Sequence, residues 1–137
     1  MIDSGDTGFM IICTALVLLM TPGLAFFYGG MVRRKNVVNT MMTSIFVIGI
    51  AMVMWILFGY SLAFGNDHLG IIGDLSFLGL SNVGTTPGNY ASTIPDLGFA
   101  AFQMMFAIIT PALITGAVAG RMKFKALFIF IIVWSTI

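Results

Sequence analysis

The chain has 137 residues, of which 59% are hydrophobic and 8% are charged, and its mean hydropathy is +1.07. A soluble domain carries about 25% charged residues, so this composition excludes an ordinary soluble globular protein and indicates a membrane protein. The net charge of +1 gives no reason to expect a nucleic-acid partner.

Four apolar blocks without charged residues follow one another along the chain. The first three comprise residues 9–32, 37–64 and 97–120, and each exceeds the about 20 residues that cross a bilayer core. The fourth block, 126–137, reaches only about 18 Å at about 1.5 Å per residue. We interpret it as a span that the end of the chain truncates; the alternative is a short interfacial or re-entrant helix. The predicted fold class is an all-α polytopic membrane protein with three complete transmembrane helices and the start of a fourth, all within one membrane domain (1–137).

The charged residues divide cleanly between the two sides of the predicted membrane. All six cations lie in two short segments, Arg33–Lys35 and Arg121–Lys125. Cytoplasmic loops are enriched in Lys and Arg, so both segments are assigned to the cytoplasm. The N-terminus and the outer loop 65–96 then lie outside. These two segments contain every acidic residue: Asp3, Asp6, Asp67, Asp74 and Asp96.

Small residues and prolines recur inside the predicted spans. Gly116 and Gly120 match the GxxxG pattern, which permits close packing of membrane helices. Pro22 and Pro111 each remove a backbone donor, so they are predicted to kink their helices or to leave a carbonyl without its bond. The other small residues expected at helix contacts are Gly29, Gly30, Gly49, Gly59 and Ala112.

Catalytic and metal-binding constellations are not apparent in the sequence. The chain has no Glu, and its only histidine, His68, lies beside Asp67 in the outer loop. A metal site needs several convergent ligands, so His68 is interpreted as a solvated loop residue. We predict no enzymatic activity, no metal and no cofactor.

The third span contains the most informative side chains. Phe99, Phe102 and Phe106 are spaced i, i+3, i+7, which places them on one face of a helix, and Gln103 lies on the adjoining face. One interpretation is a packing stripe or an aromatic belt at the membrane interface. The other is a ring-lined mouth that attracts a cation through its π faces.

Four segments resemble a known family. They are Thr21–Asn36 (TPGLAFFYGGMVRRKN), Trp55–Gly65, Phe102–Ala107 and Gly116–Phe124. Their order and spacing resemble those of the ammonium transporters, methylammonium permeases and Rhesus proteins. One departure is Arg121, which follows Gly120 where many members carry Glu-Arg.

The resemblance implies a function and site residues. It implies transport of ammonium or ammonia through an apolar pore in the cell membrane, with an outer aromatic site that recruits the ion and a phenylalanine gate. Phe102 and Phe106 align with the aromatics of that site and Phe106 with one gate residue. Gln103 lies beside them, and Phe27 is assigned to the inner vestibule. The remaining family residues, including two pore histidines, are expected beyond Ile137.

The resemblance also implies partners and leaves alternatives open. Family members assemble as homotrimers in the lipid bilayer, and a PII-type signalling protein binds the cytoplasmic mouth of bacterial and archaeal relatives. The basic segments Arg33–Lys35 and Arg121–Lys125 suit that contact, although retention beside anionic lipid head groups explains them equally. Two alternative functions are an ammonium-sensing membrane module of a signalling protein and a non-conducting packing subunit of a membrane complex.

Overall fold

A computed structural model of the protein describes residues 1–68 and 70–136. Helix α1 spans Ser4–Met31. After a 3₁₀ turn, helix α2 (Val37–Met54) continues through a π-helical turn (Trp55–Gly59) into helix α3 (Tyr60–Phe64). An outer segment then leads to helix α4 (Asp96–Val118) and helix α5 (Phe124–Trp134).

Three of these helical stretches have the length and apolarity of membrane spans. They are Ser4–Met31, Arg34–Phe64 and Asp96–Val118, which confirms the three predicted spans. The first begins at Ser4 rather than Phe9 because the Asp3 side chain caps it, accepting hydrogen bonds from the backbone N–H groups of Gly5 (2.7 Å) and Asp6 (2.9 Å). The shorter apolar helix α5 corresponds to the predicted fourth block, whose last residue, Ile137, lies outside the described residues.

The two prolines do not interrupt their helices. α1 is helical through Pro22 and α4 through Pro111. The consequence of each proline is therefore the missing N–H donor rather than a break, since a proline within a helix cannot bond the carbonyl four residues before it. Pro111 lies buried within the helix packing.

Helices α1, α2 and α4 pack against one another, and α5 packs against α2. Small side chains bring them close: a Cβ at Gly29 of α1 would lie 2.9 Å from Cγ of Met41, and one at Gly116 of α4 would overlap the Tyr28 ring. Two buried apolar clusters fill the interior, one of Ala51, Met105 and Ile108 and the other of Val47, Ala112, Leu127 and Ile131.

The GxxxG prediction is right for one glycine and wrong for the other. Gly116 is the close-contact position. Gly120 lies past the end of α4 with φ +70°, a left-handed conformation that glycine adopts without a steric penalty. Its role is to end the helix before the basic segment. Gly30 and Gly49 face open space in the described structure.

Polar side chains in the helix interior are paired across helices. Ser44 Oγ of α2 lies 2.9 Å from Thr115 Oγ1 of α4, and both residues are buried. Thr115 Oγ1 donates to the Ala112 carbonyl (2.7 Å), so Ser44 is the residue that donates its one hydroxyl proton to Thr115. Within the described residues, Thr21 is the buried exception, because its Oγ1 has no hydrogen-bond partner there.

The outer segment is irregular and folds back onto the helix ends. Strands β1 (Asp67–His68) and β2 (Ile72–Gly73) form a short antiparallel pair. The Thr86 carbonyl accepts the Asp96 N–H (3.0 Å), and the Gly84 carbonyl accepts the Leu97 N–H (3.0 Å). These bonds satisfy donors at the start of α4 that have no partner within the helix.

The Tyr28–Gly116 contact makes the first testable prediction. Gly116→Ala should lower the melting temperature of the natural protein in detergent, because overpacking against the Tyr28 ring costs about 1–3 kcal/mol. The matched control is Gly30→Ala, where the new methyl group meets open space and helix propensity favours alanine by about 1 kcal/mol.

A second variant tests the cause of the loss. When Tyr28→Ala is already present, the added Gly116→Ala should no longer destabilise the protein. An equal loss in both backgrounds would show that the Tyr28 ring is not what limits position 116.

Candidate functional site

The predicted aromatic site residues lie on α4, and two of their rings touch. The rings of Phe102 and Phe106 meet edge to face, with centroids 5.1 Å apart and an interplanar angle of 75°. Phe106 remains 43% exposed, whereas Phe102 and Gln103 are half-buried. The Phe106 carbonyl accepts a hydrogen bond from Thr110 Oγ1 (2.8 Å).

Phe99 does not continue the Phe102–Phe106 pair as the helical spacing predicts. Its ring lies 5.1 Å from that of Phe64 and stacks on Tyr90, with centroids 5.8 Å apart and planes within 6°. Phe99 therefore belongs to a different group of rings, because the outer segment supplies a partner that the spacing along α4 cannot show.

That group, the outer aromatic cluster, joins three parts of the chain. Its rings contact one another at centroid distances between 5.0 and 6.2 Å. Aromatic pairs at these distances stabilise by about 0.5–1.5 kcal/mol beyond the area they bury. Its members are Trp55, Tyr60, Phe64, Phe77, Tyr90 and Phe99.

Two hydrogen bonds from the second span fix the position of α4. Trp55 Nε1 donates to the Ala100 carbonyl (3.2 Å), and Tyr60 Oη donates to Asp96 Oδ1 (3.1 Å). Tyr60 is 1% exposed, so its hydroxyl group needs this partner. The donor Trp55 begins the π-helical turn, a local geometry that often occurs at functional sites.

Ser61 and Asp74 attach the outer segment to the end of the second span. The buried Ser61 donates from Oγ to the Asp74 carbonyl (2.7 Å) and accepts from the Phe77 N–H (3.0 Å). The Asp74 carboxylate accepts from the side chain and backbone of both Ser76 and Asn66. The hydrogen bonds from Ser76, followed by those from Asn66, lower the pKa of Asp74 from 3.8 to about 2.

A cavity of about 420 Å³ lies between the outer segment and the helix ends. Aromatic rings of the outer aromatic cluster form one part of its wall. Two carboxylates, Asp67 and Asp96, and the amides of Asn66, Asn82 and Asn89 form much of the rest. Neither Phe102 nor Phe106 lines this cavity.

Two other residues singled out in the sequence lie apart from these sites. Phe27 is 61% exposed near the basic end of α1, with its ring 5.8 Å from that of Tyr28. His68 is exposed in β1. Among residues 1–68 and 70–136, no group of three His, Cys, Asp or Glu side chains is placed to hold a metal ion.

The sequence did not predict that the outer aromatic cluster and Asp96 form part of the candidate site. The spacing of Tyr60 and Phe64, four residues apart near the end of a span, indicates that they share a helix face. It does not indicate that Asp96, thirty-six residues further along, meets that face. Only the return of the outer segment onto the helix ends brings them together.

Taken together, the fold defines a class of protein. Three apolar spans with acids at one end and cations at the other describe a multi-pass membrane protein whose acidic end faces outward.

Comparisons with known proteins narrow this class. A sequence model of the Ammonium Transporter Family matches residues 8–137. The chain is 52% identical over 97% of its length to an ammonium transporter of Bacillus subtilis, of which it covers 33%. It is also 52% identical over 98% of its length to a putative ammonium transporter of Methanothermobacter thermautotrophicus, again covering 33%.

Solved structures agree with the sequence comparisons. The crystal structure of Candida albicans Mep2 superposes with a TM-score of 0.87 at 30% identity, covering 98% of this chain and 30% of Mep2. That of Saccharomyces cerevisiae Mep2 gives 0.85 at 33% identity, over 99% of this chain and 30% of that protein.

The chain therefore belongs to the ammonium transporter family, a family of cell-membrane transport proteins rather than enzymes. This confirms the family, the fold class and the membrane location that the sequence predicts. The chain spans about a third of the length of the curated relatives it matches.

The Asp74 carboxylate makes a prediction about pH. Because its folded pKa of about 2 is below the ordinary 3.8, its contribution to stability is present above about pH 4 and is lost as the pH falls towards 2. We expect the hydrogen-exchange protection of the Asn66 and Ser76 amides, corrected for intrinsic rates, to fall across this window.

An uncharged side chain at position 74 should remove that dependence. Asp74→Asn should give low protection at both ends of the window, whereas the control Asp6→Asn should keep the wild-type profile. If the protection of these amides still depends on pH in Asp74→Asn, another titrating group causes the dependence.

Proposed function

We propose that the protein containing this chain transports ammonium or ammonia across the cell membrane. The observation that carries the proposal is the 52% identity, over 97% of the chain, to a protein named an ammonium transporter. The aromatic pair on α4 supports it, since the partly exposed ring of Phe106 is available to a cation.

The physical problem for the transporter is the hydration of the ion. A bare charge is prohibitively costly in an apolar medium, so the ion must exchange water for other partners before it enters the pore. The exposed face of Phe106 offers a cation–π contact worth about 0.5–2 kcal/mol. We assign Phe106 to the recruitment site on this basis.

We also assign Phe106 to the gate, as one of its phenylalanines. The Phe102 ring meets the Phe106 ring edge to face and supports it from the neighbouring turn of α4. Gln103, half-buried beside them, carries an amide that can both donate and accept hydrogen bonds. Phe27, exposed near the basic end of α1, is assigned to the inner vestibule.

We further propose that the chain is part of a single membrane domain and that the natural protein assembles as a homotrimer. Large apolar side chains of α1, including Phe9, Leu16 and Leu19, are more than half exposed. Such surfaces suit contact with lipid, with other spans or with a neighbouring subunit. The cytoplasmic segments Arg33–Lys35 and Arg121–Lys125 are exposed and are proposed to contact a PII-type signalling protein.

The aromatic pair gives a prediction about uptake. Phe106→Ala should lower the rate of methylammonium uptake by about tenfold in cells without other ammonium transporters. The reason is that the loss of a cation–π contact of about 1.4 kcal/mol corresponds to that factor. The matched control is Phe130→Ala of α5, whose ring is 42% exposed, close to the 43% of Phe106.

Two outcomes would contradict this assignment. Unchanged uptake and selectivity in Phe106→Ala, with normal membrane insertion, would remove Phe106 from the site. No uptake by the wild-type protein would favour a sensor or a packing subunit over a transporter.

The basic segments give a prediction about the regulator. Replacing Arg121 and Lys123 by Gln should raise the Kd for a purified PII-type protein by about two- to thirtyfold, since each exposed ion pair that is lost costs about 0.2–1 kcal/mol. Asp6→Asn at the outer end is the control and should leave the Kd unchanged. An unchanged Kd in the Gln variant, with altered membrane orientation, would show that these charges serve topology alone.

A further inference from the structure

The cavity beneath the outer segment is separate from the proposed aromatic gate. It has a volume of about 420 Å³, which is many times the space of one water molecule. Asp96 begins α4 and Phe106 lies ten positions further on, about 15 Å along the helix axis at 1.5 Å per residue. The cavity therefore lies nearer the outer end of α4 than the proposed gate does.

The Asp96 carboxylate is held in place at the wall of the cavity. Oδ1 accepts a hydrogen bond from the buried Tyr60 Oη at 3.1 Å, and the backbone N–H of Asp96 is bonded to the Thr86 carbonyl. The loop backbone also passes close by, because a Cβ at Gly88 would lie 2.5 Å from Oδ1. The side chain is half-buried, so the protein fixes a negative charge facing the cavity.

The Lys and Arg side chains lie far from this carboxylate. Its six Lys and Arg residues all lie at 33–35 and 121–125. The second of these segments follows α4, whose 23 residues separate it from Asp96 by about 35 Å, several Debye lengths at physiological salt. The exposed Asp67 carboxylate on the same wall adds negative charge, so the cavity attracts cations from solution.

The rest of the wall indicates which cation fits. The accessible rings on the wall are those of Phe64 and Tyr90, and aromatic faces attract weakly hydrated monovalent cations. The side-chain oxygens of the asparagines on the wall supply further acceptors. A divalent ion would instead need several carboxylate ligands, and no group of three metal-binding side chains exists among residues 1–68 and 70–136.

We propose that the cavity between Asp96, Asp67 and the rings of Phe64 and Tyr90 is a collecting site for a monovalent ammonium-type cation. The site raises the local concentration of the ion above the gate, as clefts of one charge sign do for their ligands. This proposal rests on the proposed transport function, and it adds a second, more external site to the Phe102–Phe106 pair.

The test is the concentration dependence of methylammonium uptake by the natural protein in liposomes. At low ionic strength, Asp96→Asn should raise the KM roughly three- to tenfold and leave the maximal rate unchanged, because local enrichment of the ion is lost while the gate remains. The effect should shrink at high salt, which screens exposed charges. Asp6→Asn, which removes an outer carboxylate away from the cavity, should leave the KM unchanged.

A second variant guards against misfolding of the first. Asp67 is exposed, so Asp67→Asn should preserve the fold and still raise the KM, by a smaller factor than Asp96→Asn. An unchanged KM in both variants, or an equal rise in Asp6→Asn, would overturn the proposal.

Binding separates failure of this site from failure of the proposed function. Equilibrium dialysis with radiolabelled methylammonium at low ionic strength should show more bound cation for the wild-type protein than for an Asp67→Asn, Asp96→Asn double variant. That result without any uptake would retain the site and reject transport. Equal binding by both proteins, or displacement of methylammonium by calcium at far lower concentration, would overturn the site.

Discussion

The close approach of α1 and α4 around Tyr28 is the contact on which the arrangement of the spans depends. Between membrane helices there is little hydrophobic driving force, so association relies on close packing and on hydrogen bonds. Tyr28 combines both, since its ring fills the space above Gly116 and its hydroxyl group donates to the Leu113 carbonyl at 3.0 Å. A larger residue at position 116 would separate the two helices and alter the positions of every residue on α4.

Polar groups inside the spans extend the same principle along the bundle. Ser44 and Thr115 form a hydrogen bond in the cytoplasmic half of the helix bundle. Trp55 donates a hydrogen bond to the Ala100 carbonyl in the outer half. Each pair joins the second span to α4. An unpaired polar group in an apolar medium costs several kcal/mol, so these pairs favour one register between the two helices and thereby set the height of Phe102 and Phe106.

The outer segment builds a second level above that pair. The bonds of Ser61 and Asp74 bring the chain back over the end of the second span, where Phe77 and Tyr90 complete the outer aromatic cluster. The cavity that results is more polar than the helix interior beneath it. In the proposed transport, an ion moving inward would exchange water for carboxylates and ring faces at this cavity and then for ring faces at Phe106, so its desolvation would occur in two steps.

The sequence by itself determined the number of spans, their orientation and the family. Long uncharged blocks and segregated charges are sufficient for this, because the bilayer imposes one length scale and one charge rule on every span. The assignment of Phe102 and Phe106 came from motif order rather than from geometry.

Only the tertiary structure decided how those spans meet and which side chains share a site. Helical spacing predicted that Phe99 groups with Phe102 and Phe106. In the structure its ring contacts those of Tyr90 and Phe64 and belongs to the outer aromatic cluster. A GxxxG pattern could not show that Gly116 packs while Gly120 ends the helix. The Tyr60–Asp96 bond joins residues far apart in the chain, and such pairings depend on how an irregular loop folds, for which the sequence carries no periodic pattern.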